Sequence, residues 1–319
     1  MEALLSSHYE EGLIRLARPL APGVRSVPLN DPAFSDLAGV LAGVKPVSYT
    51  GCSPDRLPAL LRLCEKLKLH CLPAEEYAGR RGFHLRRGAE VYFIGRSAAT
   101  LRRAARAWAD PADDDAWSVY LGYPDCCIKA FRKWRDAQDK GPDLVELAAG
   151  NTAAAGPLDF RLNNVFNYSS RVHHALAADK ARYRRFTRLN SGRVYPSLHA
   201  IGWHPCSYTC SRSLAKAAAI YSLVSRHAPG FAAALRAALA RPVLFWDKYR
   251  FAFLDGLRRP KVSGPASLLE ASALKAIEAA EELRAAGGRA RFFGGGGELI
   301  RLKARPPLLL DFTGGPPRP

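Results

Sequence analysis

The sequence predicts an α+β protein, a mixed α/β chain in which a small N-terminal α/β layer domain precedes a mainly helical domain carrying a β-hairpin and short C-terminal strands. Three observations predict it. Two strand-then-helix units follow one another between residues 46 and 109, long amphipathic helical stretches dominate from residue 115 to 240, and the hydrophobic period switches to two after Pro242. The length of 319 residues is enough for a large core and suits two domains.

Residues 1 to 46 are broken by Pro19, Pro22, Pro28 and Pro32, which restricts them to short elements. Val47 to Thr50 reads as a strand, and Pro54 to Leu69 as a helix with proline in its first turn. Glu90 to Gly95 is a second strand, with Ser97 as the N-cap of a helix over Ala98 to Ala109. The run Pro111-Ala112-Asp113-Asp114-Asp115 marks a domain boundary, so the expected domains are 1–112 and 113–313, with a loose tail over 314–319. Helices are expected from Cys127 to about Asp139, over Thr209 to Arg226, and from Gly230 to Ala240. Residues 243–254 then read as a hairpin turning at Asp247-Lys248. A helix over Ser267 to Ala286 would end at Gly287-Gly288 as a C-cap, followed by strands at 289–293, 299–303 and 308–312. Gly294 to Gly297 lacks the Lys and Ser/Thr of a phosphate-binding loop and reads as a flexible turn.

No apolar run approaches the roughly 20 residues needed to span a bilayer. Met1 to Leu20 carries Glu2, Glu10 and Glu11 where a signal peptide would be basic and then apolar, so a cytoplasmic protein is expected. In that compartment seven cysteines are not expected to form disulfides. Cys64 lies on the leucine stripe of its helix, and Cys52 and Cys71 flank the same helix, which makes all three core residues. The net charge of +18 raises an anionic partner, either a small molecule or RNA, with Arg80, Arg81, Arg86, Arg87 and the arginines between 182 and 188 as phosphate contacts.

Four cysteines resist the core reading. His204-Pro205-Cys206-Ser207-Tyr208-Thr209-Cys210 puts two thiols and an imidazole just before a helix, and Gly122-Tyr123-Pro124-Asp125-Cys126-Cys127 puts two thiols at the start of another. Thiolates bind soft metals and iron–sulfur clusters. Adjacent cysteines are poorly placed to share one tetrahedral zinc, whereas a cluster with separated irons accepts neighbouring residues. The expected cofactor is therefore an iron–sulfur cluster of the 4Fe–4S type on Cys126, Cys206 and Cys210, with Cys127 or His204 as fourth ligand, and zinc is the alternative. An enzyme is expected, with Asn163, Asn164, Asn167 and Tyr168 as polar lining of its pocket. A metal-free alternative uses Cys206 or Cys127 as nucleophile and His204 as base. Otherwise the protein binds or modifies RNA, and its cysteines are structural or hold zinc.

These two segments resemble the Gly-Tyr-Pro-x-Cys-Cys and His-x-Pro-Cys-Ser-x-x-Cys signatures of an uncharacterised archaeal and bacterial family, the domain of unknown function numbered four hundred and eighty-three. The matching residues are Gly122 to Cys127 with Cys206, Ser207 and Cys210, while His204 stands one position closer to Cys206 than the signature has it. The resemblance covers about residues 115 to 255 and implies shared chemistry at these cysteines without naming a reaction.

Overall fold

The computed structural model describes residues 12–30, 32–74, 90–110, 114–136, 143–153, 156–166, 184, 198–302 and 305–315. The chain divides into two compact units, and neither is continuous in sequence. The first comprises Met1–Asp136, Ala200–Trp203 and Ser211–Ala234; the second comprises Ala137–His199, His204–Cys210 and Leu235–Pro319. The fold is α+β, as the sequence predicts, and every pairing between strands is antiparallel among the described residues.

The first unit opens with the short pair β1 (Leu13–Arg15) and β2 (Ser26–Pro28), then helix α1 (Phe34–Leu41). Strand β3 (Val47–Cys52), helix α2 (Leu57–Lys66), strand β4 (His70–Pro73), strand β5 (Glu90–Gly95) and helix α3 (Ala98–Ala109) follow. The strands form a sheet of order β3-β5-β4. Val91 to Ile94 are all apolar and buried, which suits the central position, whereas β3 alternates and exposes Tyr49 on an edge. Ser97 caps α3 by accepting a hydrogen bond from Thr100 N at 3.3 Å. Cys64 and Cys52 are buried, as expected, but Cys71 lies on β4, a strand absent from the elements that the sequence predicts.

The expected boundary at residue 112 does not part the units. Asp114 opens helix α4 (Asp114–Tyr120), and helix α5 (Asp125–Asp136) comes next, so the chain is already helical at the end of the stretch read as a break. Trp117 of α4 and Trp108 of α3 both pack edge-on against Phe93 of β5, at 5.4 and 5.6 Å between ring centroids. This aromatic set, with Val47, Val91 and Leu121, is the core of that layer. Helix α7 (Ser211–His227) completes the first unit by packing on α1, after helix α6 (Leu144–Gly150) in the second unit. Phe231 of helix α8 (Pro229–Leu239) meets Phe34 of α1 at 6.0 Å, and the division between units falls within α8.

Among the described residues, the second unit is built on a sheet. The hairpin of β6 (Pro242–Asp247) and β7 (Arg250–Leu254) forms as the sequence predicts, though it turns at Lys248-Tyr249, because the Asp247 carboxylate accepts from Tyr249 N and Arg250 N at 2.8 and 2.9 Å. Strand β8 (Val262–Ser267) adds to β7. The expected helix to Ala286 shortens to α9 (Ala271–Ala279), and its remainder is strand β9 (Glu282–Ala286), paired with β10 (Arg289–Phe293). Gly287 and Gly288, with φ of +58° and +74°, form the two-residue turn between them; a C-cap and this turn both demand positive φ, so the glycine pair alone does not separate them. Strands β11 (Leu299–Ile300) and β12 (Leu308–Asp311) complete a sheet ordered β11-β10-β12-β6-β7-β8, with β9 on β10. Leu244, Ala252, Leu269, Ile277, Leu283 and Phe292 are among the residues of its core.

Candidate metal centre

The first cysteine segment is set by a glycine. Gly122 adopts φ +79°, and a Cβ there would stand 2.5 Å from the Val44 carbonyl oxygen and 2.9 Å from Lys45 Cα, so no other residue fits this approach. Tyr123 then places its ring 5.3 Å from that of Trp203. The Pro124 carbonyl accepts from Cys127 N and Ile128 N at 2.8 and 3.0 Å, so α5 begins at once and both cysteines sit in its first turn. Cys127 is 3% exposed, and Cys126 is half-buried. Ser213 of α7, fully buried, lies 3.2 Å from the Cys127 sulfur and accepts from Trp203 Nε1 at 3.0 Å. Having accepted from the indole, the hydroxyl has its own proton to offer to a thiolate at Cys127.

The second segment is held by two residues just past the end of α6. Asn151 Nδ2 donates to the Cys206 carbonyl at 3.0 Å, and Tyr208 N donates at 2.9 Å to Thr152 Oγ1, which donates in turn to Ala148 O at 2.7 Å. Tyr208 is 1% exposed and stacks edge-on against Phe312 at 4.9 Å. Burial pushes its phenol above the ordinary range, and the nearby Asp143 charge adds to the rise. A tight turn in which Cys210 N donates to Ser207 O at 3.1 Å brings the chain to the start of α7. Cys206 is half-buried, and Cys210 is 8% exposed.

Four cysteines, Cys126, Cys127, Cys206 and Cys210, come together here. Their sulfurs all lie within 4.8 Å of one another, and none of the four forms a disulfide. Four sulfurs so close can bind a metal ion. Cys126 and Cys127 lie in the first turn of α5, Cys210 immediately precedes α7, and the Ser213 hydroxyl stands 3.2 Å from the Cys127 sulfur. Lys216, one turn farther along α7, donates to the Val44 carbonyl at 3.0 Å; its burial lowers its pKa, partly offset by the Asp125 charge.

Cys126 and Cys127 both belong to the group of close sulfurs. His204 is not a member of the group, so the thiols alone make up the set of four. Asn163 is buried with its side chain held by backbone: Nδ2 donates to Leu239 O at 2.7 Å and Oδ1 accepts from Val165 N at 3.2 Å. Asn164 is buried beside it. Asn167 and Tyr168 lie outside the described residues, as do Arg80, Arg81, Arg86 and Arg87. Sequence reasoning missed Ser213, Asn151 and Thr152. A serine one turn into a helix that begins beside a cysteine is a weak signal, and the other two belong to a helix end whose tie to the second cysteine segment exists in space and not in pattern.

No protein-family model matches the chain, and neither a search of curated proteins nor a search of solved structures finds a match. No helix among the described residues is long and apolar enough to cross a membrane.

Proposed function

We propose that this protein holds one metal ion on four thiolates, zinc above all, and that the ion fixes the two cysteine segments to each other. The observation that carries the reading is the spacing of the sulfurs, all within 4.8 Å. A tetrahedral ion about 2.3 Å from each sulfur sets them about 3.8 Å apart, a small adjustment from this arrangement. A cubane binds each thiolate through a different iron and spreads them to about 6 Å, so it asks the group to open. Four protein thiolates fill a tetrahedral shell and leave no place for a substrate, which is the form of a site that stabilises a fold. The resemblance of both segments to the family with Gly-Tyr-Pro-x-Cys-Cys supports the same pairing, since its two signatures supply all four sulfurs.

A second reading keeps the iron–sulfur cluster and an enzymatic role. Cys126 and Cys206 are the half-buried members, and they are the two able to swing outward to admit a larger group. Metal and sulfide analysis of protein purified without oxygen decides between them. One zinc per chain with no acid-labile sulfide is the expected result. Iron with sulfide and absorbance near 400 nm transfers the site to the second reading, and a folded, metal-free protein with four reactive thiols ends both.

A further inference from the structure

The second unit contains a basic cleft that the metal centre does not use, and we infer that it binds a small organic phosphate. The inference stands independently of the metal. Arg250 of β7, Arg289 of β10 and Arg305 line a cavity of about 140 Å³ together with Trp246, Pro306 and one carboxylate, Glu146. Three guanidiniums thus face a single acid. Arg250 is already paired with Asp247 at 2.7 Å and lies 3.5 Å from Glu270. Arg289 and Arg305 are different: they approach Glu146 only to 3.7 and 3.8 Å, beyond a hydrogen bond. Of the Arg289 donors, Nη1 is given to the Pro306 carbonyl at 2.6 Å, which aims the guanidinium, and Arg305 is 72% exposed with no hydrogen bond among the described residues.

Glu146 is fixed by its own helix. Asp143 and Glu146 form the capping box of α6, in which Glu146 Oε2 accepts from Asp143 N at 3.4 Å, so the carboxylate is anchored at the helix start with Oε1 toward the two arginines. It gathers them by charge but leaves most of their donors unfilled. An anion with several oxygens fits that need, and phosphate suits paired guanidiniums better than any acid the chain itself supplies. Beside this basin, sharing Trp246 and Arg250, opens a shallow slot walled by Leu269, Ala273 and Leu302 with Glu270 and Ser272. A phosphate monoester with a flat or aliphatic body satisfies both parts: its phosphate lies between Arg289 and Arg305, and its body lies along Trp246.

Titration calorimetry in phosphate-free, low-salt buffer tests this with phenyl phosphate and inorganic phosphate as probes. Phenyl phosphate is expected to bind, and more tightly than inorganic phosphate. Arg305→Ala, at an exposed position, should weaken it about ten-fold, since a charged donor pair is lost, while Arg284→Ala on β9, outside the cleft, leaves it unchanged. Trp246→Ala should weaken phenyl phosphate and spare inorganic phosphate. Glu146→Gln keeps the capping box and removes the competing charge, so it should tighten binding several-fold. No heat at millimolar phenyl phosphate, equal affinity for the two probes, indifference to Arg305→Ala, or weaker binding by Glu146→Gln would each overturn the inference.

Discussion

At the scale of single residues, position within an element separates the cysteines by role. Cys206→Ala and Cys210→Ala should each abolish stoichiometric metal, because three thiolates cannot complete the shell, whereas Cys64→Ala should retain metal and lose about 1 to 2 kcal/mol of stability. Metal content and urea unfolding of the three variants check this. Gly122→Ala is expected to lose about 2 to 3 kcal/mol and to lower metal affinity with it, since its Cβ collides with backbone at Val44 and Lys45. The four site cysteines were legible in the sequence because they stand at or just before helix starts and off any leucine stripe. Their company was not: Ser213 sits on a buried face of α7 and reads as any small core residue until Cys127 is placed 3.2 Å away. Asn163 misleads for the opposite reason. A buried asparagine in a polar run looks like pocket lining, yet its amide serves Leu239 and Val165, and such main-chain partners leave no trace in local pattern.

At the scale of elements, period and turn chemistry carried most of the fold. The hairpin at 242–254 was legible from its alternation, and α3 from Ser97 and its apolar face. β4 was not, because His70–Pro73 is four residues long and comes after a helix without a turn signal of its own. The stretch after Ser267 was misread because alanine, leucine and glutamate favour a helix wherever packing does not intervene, and here β9 gains its partner β10 only through the Gly287-Gly288 turn. That turn gives a clean test. Gly287→Asn should change stability by less than about 0.5 kcal/mol, since asparagine tolerates the left-handed region, whereas Gly287→Val should lose about 1 to 2 kcal/mol, as thermal melts would show. Helix α6 is the element with most consequence for its length. Its first turn carries Glu146 toward the arginines, and Thr152 just past its end holds the Tyr208 backbone.

For the molecule as a whole, bound metal is expected to be a principal stabiliser. Chelation at pH 7 should lower the Tm by more than about 10 °C, and stoichiometric zinc should restore it. Acid should do the same without a chelator. Thiolates must be deprotonated to bind, so affinity is full at neutral pH and falls as protons compete below about pH 6, which zinc release measured against pH would follow. The division into two units was beyond the sequence, since an acidic, proline-marked run reads as a boundary whether or not the chain returns afterward to finish what it began.

That return has a consequence for how the protein is made. The first unit lacks α7 until Ser211–Ala234 has been synthesised, and α1 has no partner for the face on which α7 packs until then. During translation the first 136 residues therefore leave the ribosome as an incomplete layer with Phe34 and its neighbours uncovered, and they wait for about a third of the chain before they can close. A ribosome stalled shortly after residue 136 should present a nascent chain that proteases cut readily, and one stalled well beyond residue 234 should present a resistant one.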